Sequence, residues 1–439
     1  SSVDAFNHHP HPLARPRVPI RARTVKTRRA RRRRVRVPRE LKAHDAIMRA
    51  SVASGAVAAA ARRASFRNSV DNSMASLRRP KRVATSARRR RSSTPRAHHG
   101  PMTNLQFTPD SALAGGLILG SMVVAKRLNS GRNLGVSGDT KAFARGEGRA
   151  TSAAFLIGLL AAGYAAPMIL GAQAAVPMVD ATRAIAAGAL VGAGSSLGGG
   201  CTSGHGISGI GRLDVRSVAF TCVFMVVGAI TVAATGTMDE LHVSQATKTI
   251  DMLARSPEAK TILYAKIFAA GAAVQGVLYA LAKREGGGIT DVVKKLELVS
   301  ESVAGLFFGL GLVVSGMTNP AKVAGFLAVT TQAFDPSLMF VMGGALALVV
   351  VSMFLAKNAL GVSRPAMARE FSTTPKYVDK SVLIGGALFG AGWGLGGVCP
   401  GPGLVNLVLN SGREITLWCV AYFAAQAVQQ KLSSEYSLE

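Results

Sequence analysis

Between residues 110 and 430 the chain alternates long apolar segments with short polar ones. The apolar segments are 110–126, 151–171, 183–199, 215–236, 262–282, 302–317, 337–356, 381–398 and 414–430. About 20 helical residues span a bilayer's hydrocarbon core, and most of these segments reach or approach that length. Most of their interiors lack Asp, Glu, Lys and Arg, which hydrocarbon disfavours. Lys266 lies near one end of its segment, where its stem can snorkel. One such run could sit in a soluble core, but eight or nine in one chain could not. Backbone inside lipid must also satisfy its own hydrogen bonds. The expected fold class is therefore an all-α polytopic membrane protein with about eight or nine hydrophobic segments.

Charge sets the rest of the chain apart. The 439 residues hold 52 Lys+Arg and 23 Asp+Glu, a formal net charge of +29. The first hundred contain 27 of the basic residues against Asp4, Glu40, Asp45 and Asp71. Taken whole, such an excess points to nucleic acid. Its confinement to a head with Phe6 and Phe66 as its only aromatic residues argues against a stacking platform, and no nucleic-acid partner is expected. A head rich in Arg, Ala and Ser and poor in acids reads as an organellar transit peptide. Met74-Ala75-Ser76-Leu77 offers an internal start, and a Met-Ala opening favours the plastid envelope over the mitochondrial inner membrane. The other reading is a basic tail that binds acidic lipid or nucleic acid without specificity. The expected division is a leader over 1–104, a first membrane repeat over 105–285, a linker over 286–301, a second repeat over 302–432 and a tail over 433–439. The loops 127–150 and 357–380 are both net basic, and the positive-inside rule places them on one side of the bilayer.

The halves resemble each other. Residues 183–204 read RAIAAGALVGAGSSLGGGCTSG and residues 381–402 read SVLIGGALFGAGWGLGGVCPGP. A constant offset aligns Gly188 with Gly386, Gly192 with Gly390, Gly194 with Gly392, Gly198 with Gly396, Gly199 with Gly397 and Cys201 with Cys399. Glycines four apart bare one helix face, so that another backbone can approach closely. Tight helix packing alone accounts for these glycines but not for the residues after them. GGGCTSGHGISG and GGVCPGPG hold too much Gly and Pro to continue a helix. Irregular backbone at membrane depth is tolerated where protein or a water-filled cavity surrounds it. Paired Gly/Pro interruptions of this kind mark the substrate site of repeat-built transporters. Each is read as a re-entrant half-helix that breaks at its cysteine, in two pseudo-symmetric repeats.

The candidate path residues follow from those breaks: Gly200, Cys201, Thr202, Ser203, Gly204 and His205 in the first, and Cys399, Pro400 and Gly401 in the second. Buried neutral thiols are weak donors suited to a soft guest that must not stick. Helix N-termini and glycine turns add backbone N–H groups for an anion. Arg212, Lys322 and Arg413 are candidate funnel cations, or anchors for helix ends. Cys222 and Cys419 lie inside later apolar segments, where free Cys is commonly a small buried hydrophobe. A disulfide is not required by four cysteines in an organellar protein. A metal site built on Cys201, His205 and Cys399 lacks a second His or a carboxylate, so no metal and no cofactor are expected. A covalent sulfur relay would need a thiolate near cationic groups.

At these motifs the sequence resembles the YeeE/YedE sulfur-transport family. GGGCTSGHGISGIGRLDVRS carries the resemblance in the first half. GLGLVVSGMTNPAKVAGFL and GWGLGGVCPGPGL resemble the smaller partner subunits that some bacteria encode separately, here joined in one chain. The resemblance covers roughly residues 105–430. It implies inverted repeats and uptake of a small inorganic sulfur compound such as thiosulfate, with Cys201 and Cys399 contacting the guest in turn. The chain departs from thiosulfate-uptake members in having no cysteine within Gly131–Gly135, and Ser208 stands where some relatives carry one. The expected function is transport of a small inorganic sulfur anion with no catalytic residues, across a lipid bilayer, with a soluble sulfur-accepting protein as a further partner. The alternatives are a membrane sulfurtransferase forming a Cys-persulfide, and a channel for a small solute without sulfur.

Overall fold

The computed structural model describes residues 107–171, 176–243, 256–286, 290–375 and 377–436. The expected leader over 1–104 and the last residues of the expected tail lie outside them. Thirteen α-helices follow one another among the described residues: α1 Pro109–Ser130, α2 Val136–Arg145, α3 Arg149–Leu170, α4 Ala181–Gly198, α5 Val215–Thr235, α6 Thr237–Val243, α7 Pro257–Arg284, α8 Asp291–Val314, α9 Pro320–Leu327, α10 Ser337–Asn358, α11 Lys380–Gly396, α12 Pro400–Leu409 and α13 Arg413–Tyr436. A wound segment, Thr202–Gly209 followed by Ile210–Arg212, lies between α4 and α5. Seven stretches are long and apolar enough to cross a bilayer: α1, α3, α5, α7, α8, α10, and α11 with α12. The pair Ala181–Gly198 and Thr202–Arg212, bent by 44°, raises the number to eight. The protein is thus an all-α polytopic membrane protein. Helix α13 has the length but not the apolarity of a span, because Gln426, Gln429, Gln430 and Lys431 crowd its second half.

The element order repeats. Helices α1, α2, α3, α4, the wound segment and α5 correspond in order to α8, α9, α10, α11, α12 and α13, with α6 and α7 between the halves. The packing is reciprocal, as a twofold relation demands. On α4, Gly188 and Gly192 face the carbonyls of Trp418 and Tyr422 on α13. At the equivalent places on α11, Gly386 and Gly390 face the carbonyls of Phe220 and Phe224 on α5. Helices α4 and α11 meet each other through Gly194 against Phe389 and Gly392 against Val191. Each of these pairs maps onto the other under the sequence offset. Lipid supplies no hydrophobic drive between helices, so close backbone packing at small residues must hold them together.

Helix α8 begins inside the segment expected as a linker over 286–301. Helix α8 starts at Asp291, because Thr290 caps it: its Oγ1 accepts from the Val293 N–H at 3.2 Å. The two basic loops do share one side. The Ala366 N–H donates to Leu128 O at 2.9 Å, Met367 to Asn129 O at 2.8 Å and Ser372 to Gly131 O at 2.9 Å.

Candidate functional site

Both breaks have the same local cause. Helices α4 and α11 end at glycines with left-handed backbone, Gly199 at φ 79° and Gly397 at φ 67°. Only glycine takes that conformation without strain, and it turns the chain out of the helix. Two residues later comes the cysteine, extended in both copies, with φ −135° at Cys201 and −90° at Cys399. Each cysteine caps the N-terminus of the element that follows, the wound segment in one half and α12 in the other. The first ladder bonds run from His205 N to Cys201 O and from Gly403 N to Cys399 O, both at 2.8 Å. The N–H groups of Thr202, Ser203 and Gly204, and of Gly401, precede them. The second set is thinner because Pro400 and Pro402 have no N–H. At both N-termini the macrodipole turns its positive end toward the cysteines.

The structure brings the two breaks together. Thr202 Oγ1 donates to Cys399 Sγ at 3.4 Å, joining residues 197 positions apart. Cys201 Sγ lies 3.2 Å from Ser203 Oγ. Both thiols are buried and free. Ser203 Oγ also accepts from the Val136 N–H at the start of α2, at 3.2 Å. Gly204 lies against Gly135, and Gly401 lies against Val136 Cγ2 and Leu312. The start of α2 is therefore wedged between the breaks. Sequence reasoning passed over it because Val136 carries no chemistry of its own.

Two expected path residues differ in what they can offer a guest. His205 has both ring nitrogens engaged, Nδ1 with Ser217 Oγ at 2.9 Å and Nε2 with Gly198 O at 3.2 Å. Its ring stacks on Phe220 at 4.3 Å and packs on Gly200. It staples the wound segment to α4 and α5, and among the described residues no three His, Cys, Asp or Glu converge as metal ligands. Gly200 serves this packing, since a Cβ there would meet the imidazole at 2.6 Å.

The three candidate cations lie apart. Lys322 is tied to Thr108 Oγ1 at 2.8 Å and Asp335 at 3.2 Å, which makes it an anchor between α9 and the α1 and α10 starts. Arg413 stands exposed at the start of α13. Arg212 donates to Ser208 O and Oγ, both at 2.9 Å. It also lines a cavity of about 540 Å³ with Arg127 and Lys357. Arg212 is also paired with Asp214 at 3.9 Å. The remaining cysteines divide: Cys419 is buried with Sγ 3.7 Å from Gly403 O, whereas Cys222 is exposed on α5.

A second cavity, of about 290 Å³, adjoins the paired breaks. Thr202 forms part of its wall, and Met225, Met317, Met339 and Met342 line it with thioethers. Trp393 closes one side, with its buried indole N–H turned to the Cys399 thiol. The sequence held no sign of this chamber, because its methionines come from α5, the α8–α9 turn and α10.

Residues 296–435, the second repeat, match a family described as a family of unknown function, DUF6691. Over 130 residues the chain is 38% identical to a protein of Xylella fastidiosa strain Temecula1 named "Probable transporter", a match covering 29% of this chain and 85% of that protein. Another protein of the same name, from strain 9a5c, is 36% identical over 126 residues, covering 28% of this chain and 93% of that protein. By that likeness the chain belongs to the same family as these bacterial proteins.

Proposed function

We propose that the protein is a membrane transporter that passes a small inorganic sulfur anion, of which thiosulfate is the type, between the two repeats and across the Cys201 and Cys399 breaks. The observation that carries this reading is the meeting of two duplicated, buried cysteines through Thr202, at the N-termini of two broken elements. A thiol that is buried and neutral can donate weakly to a polarisable sulfur without forming a bond to it. The N–H groups beside it hold negative charge less tightly than a buried Lys would, which suits passage over storage. The thioether-lined chamber beside Thr202 favours a guest with a soft, polarisable end. The relatives named probable transporters support transport over catalysis, and the sulfur guest rests on the cysteines and on the resemblance of their motifs. The two repeats stand inverted across the bilayer in this reading. The membrane is that of an organelle, with the plastid envelope favoured by the basic head, and a soluble sulfur-accepting protein takes the delivered anion.

Radiolabelled thiosulfate uptake into proteoliposomes tests the reading, comparing wild type with Cys201→Ala and Cys399→Ala. Each substitution is expected to lower the initial rate by roughly tenfold or more, the equivalent of about 1.4 kcal/mol at the step that passes the cysteines. Full uptake by both variants would remove the cysteines from the path. A persulfide that forms and turns over on Cys201 or Cys399 without net uptake would favour the sulfurtransferase alternative.

A further inference from the structure

A cluster of four ionisable side chains, three of them buried, lies beside the path and is not used by it. Lys126 on α1 reaches Asp139 on α2 and Glu301 on α8, each at 2.8 Å. Arg132, in the turn after α1, reaches Asp139 at 2.9 Å and Glu301 at 3.7 Å. Lys126, Asp139 and Glu301 are each no more than 2% exposed. Neutral donors complete the shell: Ser130 Oγ to Glu301 Oε1 at 2.9 Å and Ser152 Oγ to Asp139 Oδ1 at 3.3 Å. From α3, Thr151 Oγ1 accepts from Arg132, and the Phe155 ring lies 4.0 Å from Lys126 Nζ. Glu301 Oε2 has the Lys126 ammonium, at 2.8 Å, as its one partner. Glu297, one turn earlier on α8 and half-buried, is the remaining acid that feels these charges.

Such a cluster is expensive to hold in a membrane protein, and apolar side chains of the same volume would hold the helices together as well or better. Ionisable groups inside spans mark ion or proton pathways by default. Two cations and two carboxylates balance. One proton on a carboxylate leaves a surplus of one positive charge, and Glu301, whose Oε2 is held by Lys126 alone, is where it would land. Helix α2 links this event to the cysteines. Asp139 lies one turn from Val136, whose N–H holds Ser203 Oγ, and Ser203 Oγ touches Cys201 Sγ. Neutralising Glu301 leaves Lys126 and Arg132 to Asp139 alone, and that change in the hold on Asp139 acts on the element wedged between the two breaks.

We propose that the cluster of Lys126, Arg132, Asp139 and Glu301 is a proton-binding site that couples proton movement to passage of the anion. The proton arrives by way of Glu297, binds Glu301, and leaves Lys126 and Arg132 with uncompensated charge that draws the anion toward the path. By linkage the bound anion raises the affinity for the proton by the same factor. The proposal rests on the transport reading above.

The test uses full-length protein in proteoliposomes, with the membrane potential clamped at zero by potassium and valinomycin. Two quantities are measured: accumulation of labelled thiosulfate driven by an acid-outside gradient, and exchange of labelled for unlabelled thiosulfate at equal pH. One proton per anion across about one pH unit supports up to roughly tenfold accumulation in wild type. Glu301→Gln, fixed in the neutral form, is expected to lose the driven accumulation and keep exchange within about twofold of wild type. Indifference of wild type to the gradient, or equal driven accumulation by Glu301→Gln, overturns the coupling while leaving transport intact. Absence of both uptake and exchange in wild type overturns the transport reading and the coupling with it. Should Glu301→Gln fail to exchange, wild type in detergent decides: addition of thiosulfate must take protons from a weakly buffered solution, and no uptake of protons overturns the proposal.

Discussion

The crossing of α4 and α13 makes a quantitative prediction with an internal control. A Cβ placed on Gly192 would collide with the Tyr422 carbonyl oxygen and sit 3.0 Å from its carbon and 3.1 Å from its Cα. These are backbone atoms of a helix, so no rotamer change relieves the contact and the helices must separate. Overpacking of this kind costs about 1–3 kcal/mol, with the upper end appropriate where backbone meets backbone. Alanine returns roughly 1 kcal/mol through its better helix propensity. Gly192→Ala should therefore destabilise by about 2 kcal/mol, and Gly390→Ala, against Phe224 in the other repeat, by a similar amount. Gly276 on α7 and Gly343 on α10 have nothing within 4 Å of the same atom. There only the propensity gain remains, about 1 kcal/mol of stabilisation. The two classes differ by about 3 kcal/mol, close to a hundredfold in the folding equilibrium. Reversible unfolding in mixed detergent micelles reads this difference. A Gly192→Ala protein as stable as Gly276→Ala would show that the α4–α13 crossing is not the close backbone contact described above.

Lys126→Met strands Asp139 and Glu301 with only Arg132 as a cation and should destabilise by about 3–5 kcal/mol, seen as loss of folded protein in the same micelles; an unchanged midpoint would refute the ionic account. A small lipid-soluble maleimide applied to the folded protein in detergent should modify Cys222 alone, since Cys222 lies on the outer face of α5 and Cys201, Cys399 and Cys419 are buried; mass spectrometry of the digest locates the adduct, and rapid labelling of Cys399 would contradict its burial. Asp180 caps α4, and the Arg183 N–H, with that of Thr182, holds its carboxyl below the usual carboxylate range. A lowered folded value means the stabilisation is present above the unfolded value and is lost as pH falls through the folded one. Wild type and Asp180→Ala should thus differ in unfolding midpoint near neutrality and converge in acid, and a gap that persists in acid would refute the cap.

Much of the architecture was legible because hydrocarbon leaves the chain few choices. Long runs without charge had to be helices, and the segments expected at 110–126, 151–171, 215–236 and 337–356 each fall within or nearly within a helix. The weak point was the region 286–301, where Lys294, Lys295, Glu297 and Glu301 look like a loop. The structure continues α8 through it, because Val293, Ser300 and Glu301 face inward. Periodicity of burial, and not charge content, determined the helix there. At the site, the matched glycines and cysteines marked both breaks, but their side-chain roles were not visible. His205 reads as a polar path residue until its ring is seen bonded to Ser217 and Gly198.

What the sequence determined alone is therefore the membrane class, the duplication, and the residues at which each copy must leave the helix. These depend on local properties: apolar length, the freedom of glycine and the missing N–H of proline. The tertiary structure decided which distant residues meet. It set Thr202 against Cys399, α2 between the breaks, four methionines around one chamber, and Lys126 and Arg132 between Asp139 and Glu301. Those contacts join elements far apart along the chain. No local preference encodes them, because they arise only when the two repeats pack reciprocally, backbone against backbone, through their glycines.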